Sequence, residues 1–137
     1  QIDPLLQFLE ANNTKAFIVL KDGKIAIEQY FGSFRQDSLW YWASAGKTLT
    51  SFLVGVAQQE GFLKIEDQTS RYLGKGWTTA PPDKEDQITI WHHLTMTCGL
   101  DDNLPPTAAI PNPDNCVEPA CLTYKADAGT RWAYHNA

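Results

Sequence analysis

Cysteine is scarce in this chain. Three residues, Cys98, Cys116 and Cys121, in 137 positions are too few for a disulfide scaffold. No Cys-x-x-Cys pair occurs, and His92, His93 and His135 show no ligand spacing around the cysteines, so no metal ion is implied. Long apolar runs are missing as well. The longest, such as Ala16–Leu20 and Phe52–Ala57, fall far short of the ~20 residues that cross a bilayer, and no transmembrane segment is expected. Glycine and proline, nine and eight in number, are too few and too aperiodic for collagen or a low-complexity linker, and no internal repeat is present. Lysine and arginine total 11 against 16 acidic residues, for a net charge of −5. They do not cluster, which argues against nucleic acid as a partner.

What remains is an ordinary globular composition. The apolar fraction of 43% excludes disorder throughout, and the length suits one domain. Five tryptophans, five tyrosines and six phenylalanines promise a large core or a ring-lined cleft. Trp40, Tyr41, Trp42, Trp77, Trp91 and Trp132 fit an apolar cleft wall, with core packing expected for most of them. Cys116 and Cys121 are close enough to bridge a small loop. Bridged and unbridged readings both stay open, export favouring the bridge, while Cys98 reads as a buried small hydrophobe. The first residue is Gln, so a cleaved leader would not be visible. Asn12-Asn13-Thr14 matches the glycosylation pattern, a match short enough to arise by chance.

Along the chain, Asp3-Pro4 is expected to cap and start a helix with Leu5, Leu6, Phe8 and Leu9 on one face. Ala16–Leu20 and Ile25–Phe31 flank Asp22-Gly23 and read as a β-hairpin. One face of the second strand should carry Ile25, Ile27, Gln29 and Phe31. Ser44 to Glu60 is the strongest helix, with Leu49, Phe52, Leu53, Val56 and Ala57 at helical spacing and Gly61 as its stop. Asp67 is expected to cap a turn carrying Tyr72 and Leu73, and 74–86 to be loop. Thr89 should cap a helix through Trp91, His92, Leu94 and Met96 that ends at Gly99. Residues 101–119, with Pro105, Pro106, Pro111, Pro113 and Pro119, read as a long irregular loop.

Ser44-Ala45-Gly46-Lys47 holds the most chemistry. Spacing of three puts a hydroxyl and an amine on one helix face. At a helix start, unpaired N–H groups and the dipole favour negative charge, so Ser44 can attack while its own N–H meets an oxyanion. The bland alternative is a capping serine beside a solvated lysine. Gly46-Lys47-Thr48 resembles the tail of a phosphate-binding loop, but the required first glycine is Tyr41. Neither Gly-x-Ser-x-Gly nor His-Glu-x-x-His occurs. The second segment is Tyr134-His135-Asn136. A phenol acts as a base only if its pKa of ~10 is lowered, which the Lys47 charge would promote. Asn136 would orient Lys47 or bind a substrate carbonyl or amide.

These segments together resemble the serine β-lactamase-like hydrolases: class C β-lactamases, D-alanyl-D-alanine carboxypeptidases, penicillin-binding proteins and related esterases and amide hydrolases. Trp42-Ala43-Ser44-Ala45-Gly46-Lys47-Thr48-Leu49-Thr50-Ser51 is similar to the family's nucleophile helix. Gly61-Phe62-Leu63-Lys64-Ile65-Glu66-Asp67 with Arg71-Tyr72-Leu73 resembles the link that follows. Ile88-Thr89-Ile90-Trp91-His92-His93-Leu94-Thr95-Met96-Thr97-Cys98-Gly99-Leu100 resembles "I-T-I-R-H-L-L-T-H-T-S-G-L". Ala128-Gly129-Thr130-Arg131-Trp132-Ala133-Tyr134-His135-Asn136 resembles "P-G-x-x-F-x-Y-S-N". The likeness runs from about Ile18 to the last residue, and five ordered matches are far more specific than either short motif alone.

The resemblance implies an α/β (α+β) serine β-lactamase/DD-peptidase-like fold, of which 1–137 is the N-terminal portion with no separate second domain: a helix, a β-hairpin, the nucleophile helix and part of the all-helical region. It implies Ser44 as the acylated nucleophile, Lys47 and Tyr134 as a coupled proton-transfer pair, and Asn136, with Ser44, as substrate-binding. The implied partner is a small-molecule amide, ester, peptide or β-lactam, with no cofactor and an exported location; a cytoplasmic one stays open. His135 fills the variable middle position and reads as a cleft-rim residue. Cys98 stands where the family often has Ser, and Ala128 where it often has Pro. Glu118-Pro119-Ala120-Cys121-Leu122 faintly resembles the class A deacylating loop but precedes Tyr-x-Asn and is set aside. The third motif, Lys/His-Thr/Ser-Gly, and the strands around it do not occur, so the remaining C-terminal part of the catalytic domain is an expected partner. Exposed aromatic surface should mark the place it covers. The alternatives are a non-hydrolytic penicillin-binding or sensing module, or an inactive truncated fragment.

Overall fold

The computed structural model describes residues 2–107, 110–111 and 116–136. Pro113 and the rest of 112–115, residues 108–109 within the same expected loop, and the terminal residues Gln1 and Ala137 lie outside the described residues. The chain folds as two compact units, Gln1–Ala43 and Ser44–Ala137.

In the first unit, helix α1 spans Asp3–Ala11. Pro4 fits its first turn because a fixed φ and a missing N–H cost nothing there. Asp3 sits inside that turn rather than capping it, since Ile2 holds the N-cap position and no side chain bonds the helix start; the carboxylate acts through the dipole instead. Of the expected apolar face, Leu6 and Leu9 are half-buried while Leu5 and Phe8 are exposed. Strands β1 (Ala16–Lys21) and β2 (Lys24–Tyr30) pair antiparallel. Asp22 and Gly23 both take positive φ, +52° and +72°, which matches the twist of a two-residue hairpin. Phe17 faces Gln29 and Val19 faces Ile27, but Leu20 then faces Ile25, leaving Ala26 as an extra residue. Such a bulge inverts the alternation. Ile25 therefore leaves the expected face and joins exposed Ile18 and Leu20, while Ile27 and Gln29 are half-buried and Phe31 is buried. Trp40 meets Phe34 edge-on at 5.8 Å and stacks on Tyr41 at 5.3 Å.

A 3-10 turn over Ala43–Gly46, which starts on the last residue of the first unit, runs into helix α2 of the second, Lys47–Gln59. Gly61 at φ +79° stops the helix as expected. Three short helices follow: α3 (Ser70–Leu73), α4 (Pro82–Glu85) and α5 (Ile90–Leu94). Helix α4 lies in the stretch expected as loop, started by Pro82 in its first turn. Asp67 does not cap α3; Thr69 holds that position. Its carboxylate instead accepts Lys64 N–H, Arg71 and the Tyr72 hydroxyl. Thr89 caps α5 as expected, in a reciprocal box with the His92 side chain. The helix ends at Leu94 rather than continuing through Met96, because Met96 adopts φ +56°, a left-handed conformation that ends helical hydrogen bonding.

The core of this unit is Ile88, Leu100 and Leu122, with Trp77, Cys98 and Ala128 packed against it. Cys116 and Cys121 form a disulfide, and Cys121 is 1% exposed. Glu85, 2% exposed, accepts hydrogen bonds from Gly76 N, Thr78 N and Thr78 Oγ1. Of the rings expected mainly as core, only Trp77 packs there; Trp40, Tyr41, Trp42, Trp91 and Trp132 are exposed. No described helix is long and apolar enough to cross a membrane.

Candidate active site

Ser44 lies on the 3-10 turn and Lys47 is the first residue of α2, so the helix begins three residues later than expected. The tighter turn eclipses positions i and i+3. Lys47 Nζ thereby donates to Ser44 Oγ at 3.2 Å and to Asn136 Oδ1 at 3.0 Å. The preceding residue, Ala43, holds φ +46°, a conformation costly for a residue with a Cβ. Thr48 Oγ1 closes the turn by donating to Ala45 O at 2.6 Å.

The partner segment comes from the far end of the sequence. Gly129 N–H donates to Thr97 O and Ala133 N–H to Met96 O, so 129–133 runs beside the turn after α5. Gly99 makes this possible. Its carbonyl accepts Lys125 N–H and Ala126 N–H, and a Cβ at this position would stand 2.1 Å from Ala126 O. Tyr134 OH then lies 2.5 Å from Ser44 Oγ, and the Lys47 nitrogen sits 5.2 Å from the Tyr134 ring centre. The structure thus brings Ser44, Lys47, Tyr134 and Asn136 together.

The electrostatics follow from these contacts. The hydrogen bond with Ser44, then that with Lys47 and its charge, hold the Tyr134 phenol below the ordinary tyrosine range. A phenol is easier to ionise when neighbours donate to, or attract, the phenolate. Burial pushes the Cys98 thiol up to about 12, so it is protonated at neutral pH and not a nucleophile. Burial, followed by the charges of His92 and His135, lowers His93 to about 4.

An apolar hollow of about 630 Å³ opens beside Lys47 and Asn136, walled by Val54, Leu94, Leu100 and Leu122. His93 stands in its wall, bonded to Thr69 Oγ1 at 3.0 Å and tilted against Trp77 at 5.5 Å. Among the described residues no group of His, Cys, Asp and Glu side chains is arranged to hold a metal ion.

Sequence reasoning missed the charged anchor under this segment. Arg131 Nη2 donates to Asp102 Oδ1 at 2.6 Å and Lys125 Nζ to Asp101 Oδ1 at 2.7 Å. No local spacing joins these four residues, although Arg131 lies inside the Ala128–Asn136 segment and Asp101 directly follows the Ile88–Leu100 segment.

A comparison with curated proteins finds no match. The family model described as Beta-lactamase matches residues 9–137, a span that includes the Ser44–Lys47 turn, α2 and the Tyr-x-Asn segment. With that match over nearly the whole sequence, the chain belongs to the beta-lactamase family.

Proposed function

We propose that this chain carries the acyl-transfer half of a serine hydrolase acting on an amide, ester or β-lactam carbonyl. The observation that supports the reading is the position of Ser44 Oγ, within hydrogen-bond distance of both Lys47 Nζ and Tyr134 OH. A serine hydroxyl is a poor nucleophile until a neighbouring group takes its proton. Here the proton passes from Oγ to the Tyr134 oxygen as Oγ bonds to the substrate carbonyl carbon. The carbonyl π electrons move to oxygen and form a tetrahedral oxyanion. Its collapse expels the amine or alkoxide, which takes the proton from Tyr134 and leaves an acyl-Ser44 ester. Water then attacks the ester, giving its proton to the Tyr134–Lys47 pair, and the acid departs with Oγ reprotonated.

Lys47 supplies positive charge beside the phenolate and the attacking oxygen. Preorganised charge of this kind acts on the transition state without reorganisation. Asn136 keeps the Lys47 side chain over Ser44 through its Oδ1, and its amide nitrogen offers a donor to a substrate carbonyl.

The test is covalent. A fluorophosphonate or an activated ester is expected to label Ser44, with Ser44→Ala unlabelled and Lys47→Ala slowed by about 100-fold or more. Absence of label on the wild-type protein, or equal labelling of Lys47→Ala, overturns the reading. Stable acylation by penicillin without release supports the alternative of a non-hydrolytic penicillin-binding module.

A further inference from the structure

We infer that His135 is a positioning residue: its ring, held on the main-chain carbonyl of Asp101, fixes the register in which Tyr134 and Asn136 meet Ser44 and Lys47. The inference rests on the acyl-transfer reading for its consequence in rate, but its geometry stands apart from that reading.

Three consecutive side chains diverge. Tyr134 reaches Ser44 and Asn136 reaches Lys47. His135, between them, bonds through Nε2 to Asp101 O at 3.2 Å. A carbonyl only accepts, so Nε2 carries the proton. Past Ala133, whose N–H is held by Met96 O, these three side-chain contacts lead the segment to the rest of the unit. Two of them are the site itself. His135 therefore takes hold of something the reacting groups do not move.

Asp101 is a firm anchor. Its N–H donates to Thr123 O. Its carboxylate accepts Lys125 Nζ at 2.7 Å and Asn103 N–H at 3.1 Å, contacts that hold the carboxyl below the usual carboxylate range, the Lys125 bond most of all. The neighbouring Asp102 holds Arg131, four residues before His135, so the segment is tied to one loop at two points. The hydrogen bonds at stake tolerate little drift. A slide of about 1 Å takes a 2.5–3.0 Å contact past useful geometry, and misplacement on that scale costs about 100-fold in rate.

The experiment compares His135→Phe, which fills the space without a donor, with His135→Gln, which restores an N–H. Two readouts are used: the rate of Ser44 labelling by an activated ester, and the pH at which Tyr134 ionises, followed by NMR of ring-labelled tyrosine with Tyr134→Phe for assignment. His135→Phe is expected to slow labelling by about 100-fold, mainly in the acylation rate rather than in KM, and to move Tyr134 ionisation upward toward that of free tyrosine. His135→Gln should recover most of both. If His135→Phe does not fold, as judged by circular dichroism, His135→Ala carries the same comparison. Tyr134 ionisation and labelling unchanged by loss of the donor, or no recovery with Gln, overturns the inference. A wild-type protein that is not labelled, but whose Tyr134 ionisation still rises in His135→Phe, retains the positioning role and refutes the acyl-transfer reading instead.

Discussion

The Tyr134 hydroxyl lies 2.5 Å from Ser44 Oγ across 90 residues of sequence, and the hydrogen between them has two homes. As a neutral phenol, Tyr134 donates to Oγ. As a phenolate it accepts the Ser44 hydroxyl, and this second state both lowers the tyrosine pKa and points the serine proton at its acceptor. On the proposed acyl-transfer reading, the short contact would serve as a proton path as well as a hydrogen bond.

It follows that Tyr134 ionises at lower pH than an ordinary tyrosine. The bond with Ser44 is the largest single cause, followed by Lys47, so Ser44→Ala and Lys47→Ala should each raise the ionisation pH toward about 10. Below that pH the phenolate fraction, and with it the labelling rate, should rise with pH. Ultraviolet difference titration against Tyr134→Phe checks this, and an unshifted tyrosine removes the basis for Tyr134 as proton acceptor.

Glu85 is a carboxylate buried for structure. Burial pushes its pKa up, but the donors from Thr78 and Gly76 more than offset this, leaving it below its usual value. A group whose folded pKa is lowered stabilises above its unfolded pKa, and that stability fades as pH falls through the folded value. Glu85→Gln turns one carboxylate oxygen into an NH2 group, which must face either the Gly76 N–H or the two Thr78 donors, and should cost about 1–3 kcal/mol at pH 7. Urea unfolding should show the difference between variant and wild type narrowing below about pH 4.

His93 predicts a second, separate acid window. Its pKa is about 4 in the fold against about 6.5 for a free imidazole, so the folded state binds fewer protons than the unfolded chain. Stability is full above about pH 6.5, falls as pH drops toward 4, and levels off below, a loss of about 3 kcal/mol. His93→Gln keeps a partner for Thr69 and does not titrate. Its stability profile between about pH 4 and 6.5 should therefore lack the His93 slope; an unchanged slope would show that His93 is not its source.

The grouping of Ser44, Lys47, Tyr134 and Asn136 was legible in sequence because each short motif is local: two residues separate Ser44 from Lys47, and one separates Tyr134 from Asn136. The hairpin was legible from Asp22-Gly23. What was not legible depends on backbone exceptions. The bulge at Ala26 carries no signature in alternation alone and moves Ile25 to the other face. Met96 stands at helical spacing from His92, four residues on, yet it adopts φ +56° and the helix ends early. The Asp101–Lys125 and Asp102–Arg131 pairs join residues 24 and 29 positions apart, a range over which sequence spacing carries no geometric information.

The disulfide closes the short loop from Cys116 to Cys121. Restricting a loop of about six residues in the unfolded chain is worth about 2 kcal/mol on the chain-entropy account. Cys116→Ser with Cys121→Ser should lose about that much in urea unfolding, and more if Cys121, 1% exposed, tolerates a hydroxyl poorly. A reduced wild-type protein as stable as the oxidised one would show that the unfolded loop was already restrained.

Gly99 was expected to stop a helix, but its observed role is to let two segments touch, and the two roles make different predictions. A stop glycine in open space tolerates Ala at the cost of left-handed strain alone, about 1 kcal/mol. Gly61 is such a case, with φ +79° and open space for 4 Å around the place a Cβ would take. At Gly99 the same strain, φ +76°, comes with a Cβ 2.1 Å from the Ala126 carbonyl oxygen, so the backbone on one side must move. Gly99→Ala should therefore cost at least about 2 kcal/mol more than Gly61→Ala. The displaced segment is the one that carries Gly129, Ala133 and then Tyr134, so labelling of Ser44 should slow in Gly99→Ala under conditions where the variant is fully folded, and not in Gly61→Ala. Equal stability losses at the two positions would mean that Ala126 gives way freely and that the approach of the two segments does not set the Tyr134–Ser44 distance.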